Sequence, residues 1–228
     1  TVPGKEFYSA ILSGDDGLAA VSDIAALATE KGWSVDTSCG YHLHLDMRNE
    51  KRNSLYAIAY AYRKTEAVWL SFVHSRRHTG SYCHRLHYTC DDIISRVARD
   101  KSFDSFSHRQ DRYDWANLYA YVDHSTIEIR LFDGTLDEAA ISNWVKVHTR
   151  FADWAANLGF EGVREALDGL STDELFTLMA QEIWQDAALT IFYGELAQEY
   201  NHRFLLKSIG LANPATDIEP RPVAQVAF

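Results

Sequence analysis

Residues 39–47 read CGYHLHLDM, with His42, His44 and Asp46 at every second position and Tyr41, Leu43, Leu45 and Met47 between them. In an extended strand alternate side chains share a face, so two imidazoles and a carboxylate stand on one side while the other side can pack on a core. That polar face offers ligands for a metal or a phosphate. The same alternation also fits a half-buried strand whose polar side meets water. A second stretch, STIEIRLFDG at 125–134, follows the same rule. Glu128 and Arg130 share one face, and Ile127, Ile129 and Leu131 take the other. On an open surface such a pair contributes about 0–1 kcal/mol. Beside a metal-bound polyphosphate, the carboxylate can hold a divalent cation and the guanidinium can fork onto phosphate oxygens. Glu6, in GKEFYS, adds a candidate carboxylate on an early strand.

A third stretch, CHRLHYTC at 83–90, holds Cys83, His84, His87 and Cys90. On a helix, Cys83, His87 and Cys90 would share a face, as zinc ligands do. The spacing matches no common zinc pattern, however, and Leu86 and Tyr88 point to ordinary packing in a core or pocket wall.

These residues need elements to place them. Residues 4–12 read as a strand and 13–32 as a helix, capped by Ser13 or Asp15, ended by Gly32, with an apolar stripe of Leu18, Val21, Ile24, Ala25 and Ala28. One long helix is expected over 50–73, a polar loop with Arg76 and Arg77 over 75–84, a short helix over 90–100 and irregular chain over 101–112. Residues 117–123 and 125–134 read as an antiparallel pair turning at Asp123, His124 and Ser125. Helices are expected over 137–157, 172–184 and 187–209, with Trp144, Trp154 and Trp184 in the core, and 212–228 reads as a peripheral tail. Strands early and helices late give an α+β class, a mainly antiparallel sheet with helices on one face and a helical C-terminal part. The whole of 1–211 reads as one domain.

The chain has 228 residues, 46% hydrophobic and 24% charged, with a net charge of −10. The acidic balance argues against a general nucleic-acid binder, which needs a basic surface. No apolar run approaches the roughly 20 residues of a membrane span, and no signal peptide is visible. Three cysteines, Cys39, Cys83 and Cys90, fit a reducing compartment, so a cytoplasmic location is expected.

In their order and spacing, GYHLHLD (40–46), SRRHTGSYC (75–83), RYDWANL (112–118), STIEIRLFDGTLD (125–137) and ISNWVKV (141–147) resemble the amidoligase family. This is a bacterial and phage branch of the carboxylate–amine ligases with the glutamine synthetase fold. The resemblance covers residues 4 to about 205. It implies an ATP-dependent ligase that uses Mg²⁺, or Mn²⁺ in its place, to form an amide or isopeptide bond through an acyl-phosphate. It implies that Glu6, His42 and Glu128 belong to the metal shell, and that His44 and Arg130 contact nucleotide phosphates or the acyl-phosphate. His44, Glu128 and Arg130 would then carry the catalysis. Arg76, Arg77 and Asn117 match family positions for nucleotide or substrate contact, and Gly40 would allow close packing beside the site. The expected partners are a small-molecule or peptide carboxylate and an amine, with no nucleic acid or membrane, and with room for a protein partner. One departure stands out. Family members open on a strand with two metal-binding carboxylates in an ExE pattern, whereas this chain opens on TVPGKEF, at the second strand. Either an upstream segment supplies that strand, or part of the metal site is lacking and the chain is a binding or structural descendant. A metal-dependent hydrolase built on HLHLD is a further alternative.

Overall fold

The computed structural model describes residues 9–200. The strand expected over 4–12 falls mostly outside that range, as do Glu6 and the tail. Residues 9–12 form no strand. Helix α1 spans Gly14–Glu30, after Ser13 as its cap residue, and buries Ala25 and Ala28. Gly32 ends it with a positive φ of 71°, a conformation open to glycine without a Cβ clash.

Strand β1 (Leu43–Asp46) leads into α2 (Arg52–Lys64) and α3 (Glu66–Leu70). The single helix expected over 50–73 is thus broken at Thr65. Its hydroxyl donates to Ala61 O at 2.7 Å and accepts from Trp69 Nε1 at 3.0 Å, a local bond that competes with the helical ladder. Every residue from Leu55 to Tyr62 is buried. A one-turn 3₁₀ segment, Ser75–His78, follows. Helix α4 (Cys90–Ala98) starts on a reciprocal capping box between Thr89 and Asp92.

The stretch 101–112 is not all irregular. Ser102 caps a short helix α5 (Phe103–Ser107), which buries Phe103 and Phe106. Residues 117–123 are not one strand either. Strand β2 is only Ala116–Asn117, and Ala120–His124 form α6. Asn117 Oδ1 accepts from Ala120 N at 3.3 Å and begins the helical turn. Ser125, at φ 54° and ψ 39°, ends it before β3 (Thr126–Ile129).

Helix α7 (Glu138–Leu167) runs ten residues past its expected end, through a bend at Gly159 with φ 69°. A Cβ there would lie 2.5 Å from Asn53 Nδ2. The bend lets Phe160, Val163 and Leu167 continue into the core. Helix α8 (Thr172–Leu178) passes into a π-helical turn, Met179–Trp184, and α9 covers Ala187–Glu199. The rest of the helix expected to 209 lies outside the described residues.

The class is α+β. Among the described residues, the sheet has three strands in the order β1-β3-β2, both pairs antiparallel. Leu45, Ile127 and Ile129 enter a core that also holds α2, α7 and most of the aromatic side chains. Trp144 and Trp184 are fully buried, and Trp154 is half-buried against the core. Among the described residues, no helix is long and apolar enough to cross a membrane.

Candidate functional site

The central strand β3 is flanked by the two strands that carry the other candidate residues. Register sets His44 opposite Glu128 on one side and Asn117 opposite Glu128 on the other. Directly paired residues project to the same face about 4.5–5.5 Å apart. One row across the sheet therefore reads His44, Glu128, Asn117. His42 and Arg130, one residue beyond the ends of β1 and β3, stand beside it.

These side chains meet on the Glu128 carboxylate. Arg130 Nη1 donates to Oε1 at 2.7 Å, His42 Nδ1 lies 3.0 Å from the same oxygen, and His44 Nε2 lies 3.7 Å away. Asn117 Nδ2 donates to Oε2 at 2.7 Å. Glu128 is buried. Burial alone would raise its pKa, but the His42 hydrogen bond, the Arg130 charge and the Asn117 amide outweigh it and bring the carboxyl down to about 2. The group is an anion at every physiological pH. For His44, burial disfavours the charged imidazolium and lowers the pKa in spite of Glu128.

Each partner is itself held. The Thr126 hydroxyl sits 3.0 Å from His44 Nδ1 and so turns Nε2 toward Glu128. Arg130 Nε donates to Tyr82 O at 3.3 Å, and its guanidinium lies 5.7 Å from the centre of the Tyr113 ring. Arg77 braces the strand from behind, donating to Arg130 O at 2.7 Å and Leu131 O at 3.2 Å. A Cβ on Gly40 would come within 2.6 Å of Arg77 Nη2, so the missing side chain there makes room for the guanidinium. Arg76 pairs with Asp133 at 2.8 Å, and Arg77 Nε lies 3.8 Å from the same oxygen. The two arginines thus share Asp133, and neither pairs with Glu128. Asp46, in phase with the two histidines, pairs with Arg48. Glu6 lies outside the described residues.

Residues 2–152 match a family model described as "Putative amidoligase enzyme". The chain belongs to that amidoligase family. No curated protein and no solved structure matches. The family match contains His42, His44, Asn117, Glu128 and Arg130, with all three strands that place them.

Thr126, Tyr113 and the Tyr82 carbonyl are site groups that the sequence pattern does not single out. Tyr113 stands inside RYDWANL, so the motif contained it, but nothing local ties its ring to Arg130. The CHRLHYTC stretch also needs correction. Residues 83–89 form no helix, and Cys90 opens α4, so Cys83, His87 and Cys90 share no helical face. His84 and His87 instead meet Asp114, whose signal was hidden by its distance in sequence.

Proposed function

We propose that the chain is an ATP- and Mg²⁺-dependent carboxylate–amine ligase on a glutamine synthetase-like sheet. The observation that carries this reading is the convergence of His42, His44, Asn117 and Arg130 on one ionised carboxylate, in a chain of the amidoligase family. In this reading a substrate carboxylate oxygen attacks the γ-phosphorus of ATP, and the bond to ADP breaks. An amine then attacks the acyl carbon, phosphate leaves, and the nitrogen loses a proton to give the amide.

The donor set suits one divalent cation, because an anionic oxygen and an imidazole nitrogen lie 3.0 Å apart. Glu128 and His42 would hold it. When bound, such a cation neutralises polyphosphate charge and polarises the transferred phosphoryl group. Arg130 brings a second positive charge, fixed in direction by Tyr82 O and Tyr113, and a guanidinium can fork onto two phosphate oxygens. Where the Thr126 hydroxyl donates to Nδ1, neutral His44 carries its hydrogen on Nε2 and can donate it toward the developing phosphate charge. Asn117 keeps the Glu128 carboxylate from rotating. Stabilisation by groups already in place is the main protein contribution to such a reaction.

The test is hydroxylamine trapping with Mg²⁺-ATP and a panel of carboxylates, alongside calorimetric titration of Mg²⁺-ATP. Hydroxamate and ADP should form together. Glu128→Gln should weaken nucleotide binding at least tenfold with unchanged far-UV circular dichroism. Wild-type protein without Mg²⁺-dependent nucleotide affinity would overturn the reading. It would leave a binding module in which Glu128 and Arg130 are a structural pair.

A further inference from the structure

His84, His87 and Asp114 come together beside Tyr82 and Tyr113, and none of the three touches Glu128 in the contacts described above. Asp114 is fully buried, and its two oxygens are unequally served. Oδ1 accepts from the His87 amide at 3.2 Å and pairs with His87 Nδ1 at 2.7 Å, and His84 Nδ1 lies 3.4 Å from it. Oδ2 is buried with no hydrogen-bond partner among the described residues. A buried carboxylate oxygen left unpaired is costly, and native structures rarely tolerate it without a ligand or water. One ligand atom from each of the three side chains falls within 4.8 Å of the others. A tetrahedral zinc ion with bonds of about 2.0–2.2 Å needs its ligands about 3.3 Å apart, so small side-chain rotations suffice. His87 is exposed and opens the group to solvent, which can supply the remaining ligand as water.

We propose that His84, His87 and Asp114 bind one zinc-class divalent cation, which fastens the segment carrying Tyr82 to the segment carrying Tyr113. Two imidazoles with one carboxylate favour zinc and its neighbours over magnesium, which prefers a shell made mostly of oxygens. The backbone prepares the site. His84 N donates to Tyr113 O at 3.0 Å, and Trp115 N donates to His84 O at 2.9 Å, so the two segments already lie side by side. They are also the segments on which Arg130 rests, through Tyr82 O and the Tyr113 ring. The cation therefore stiffens a wall of the Glu128 site without entering it. Cys83 is buried outside the group, and Cys90 belongs to α4.

The experiment uses the whole chain after chelator treatment. Zn²⁺ is titrated by calorimetry and Co²⁺ by visible absorption, with thermal melts in parallel. One ion per chain should bind in a manner that depends on His84 and His87, and it should raise the melting temperature. His84→Ala and His87→Ala should each weaken Zn²⁺ at least tenfold and abolish the metal-dependent shift, and Glu128→Gln should do neither. Melts without metal show that each variant folds. No binding of either ion at 100-fold molar excess, affinity unchanged by both histidine substitutions, or a strong near-ultraviolet thiolate band with Co²⁺ would each overturn the assignment. Mg²⁺-ATP titration on the same samples reads the ligase proposal separately, since neither outcome entails the other.

Discussion

Glu128 and Asp114 are both buried carboxylates beside two histidines, yet their pKa values move in opposite directions. Glu128 falls to about 2, while burial drives Asp114 up to about 6 against the hydrogen bond and charge of His87 and the charge of His84. Glu128 has a guanidinium and a side-chain amide of its own, which use both oxygens. Asp114 has neither, and one of its oxygens has no partner among the described residues. At Glu128 the His42 hydrogen bond, the permanent charge of Arg130 at 2.7 Å and the Asn117 amide act together and reverse the sign. At Asp114 two histidines alone offset desolvation only in part. The contrast separates a carboxylate that stays an anion down to about pH 2 from one that takes up a proton as pH falls through about 6.

The strongest way to break the contrast is to make Glu128 resemble Asp114. Arg130→Ala removes the permanent charge and leaves a buried anion with conditional partners. Loss of one member of a buried pair costs about 3–5 kcal/mol, and urea denaturation at pH 7 should show a loss of that size. The Glu128 carboxyl should titrate upward in the same variant. A smaller change comes from Asn117→Ala, which strands Oε2 and removes the acceptor that starts α6. An unsatisfied buried acceptor costs about 1–3 kcal/mol, readable in the same unfolding curves.

The mildest test is pH, with chelator present. Glu128 ionises more easily in the folded chain than its ordinary 4.5, so its contribution is complete above about pH 4.5 and is lost as pH falls toward 2. Asp114 runs the other way. The folded chain holds its proton from about pH 4 to 6, so stability falls as pH rises through that window. The Asp114 hydrogen bond raises the His87 pKa, which adds a loss in the same direction as pH rises past 6.5. Unfolding curves from pH 2 to 8 should show that Glu128→Gln flattens the acid limb and Asp114→Asn flattens the fall above pH 4. An unchanged profile in Asp114→Asn would mean that its burial is relieved in solution.

The face-sharing of His42 with His44, and of Glu128 with Arg130, was legible because side-chain direction alternates strictly along a strand. Which strand lies beside which, and that His44 faces Glu128, follows from tertiary pairing and has no local signature. Helix α6 was hidden for a related reason. Leu118, Tyr119, Ala120, Tyr121 and Val122 suit either period, and the choice was made by the Asn117 side chain and the left-handed Ser125. Glycine at positive φ usually ends a helix, and Gly159 has a φ of 69°. Here the chain turns at it and continues helical, with Asn53 occupying the space a side chain would need. The Asp114 cluster was invisible for want of its third member, 27 residues beyond His87.

Helix α2 buries eight residues in succession, Leu55 through Tyr62, and so has no solvent-facing side from which to fray. Its amide hydrogens can trade for deuterium only through openings that dismantle the packed unit around it. Helix α1, by contrast, is tied down by little more than Gly17, Ala25 and Ala28 and can open alone at smaller cost. One protein thus contains two clocks. The amides of α2 report the stability of the whole assembly, and those of α1 report a local event that leaves the Glu128 sheet intact.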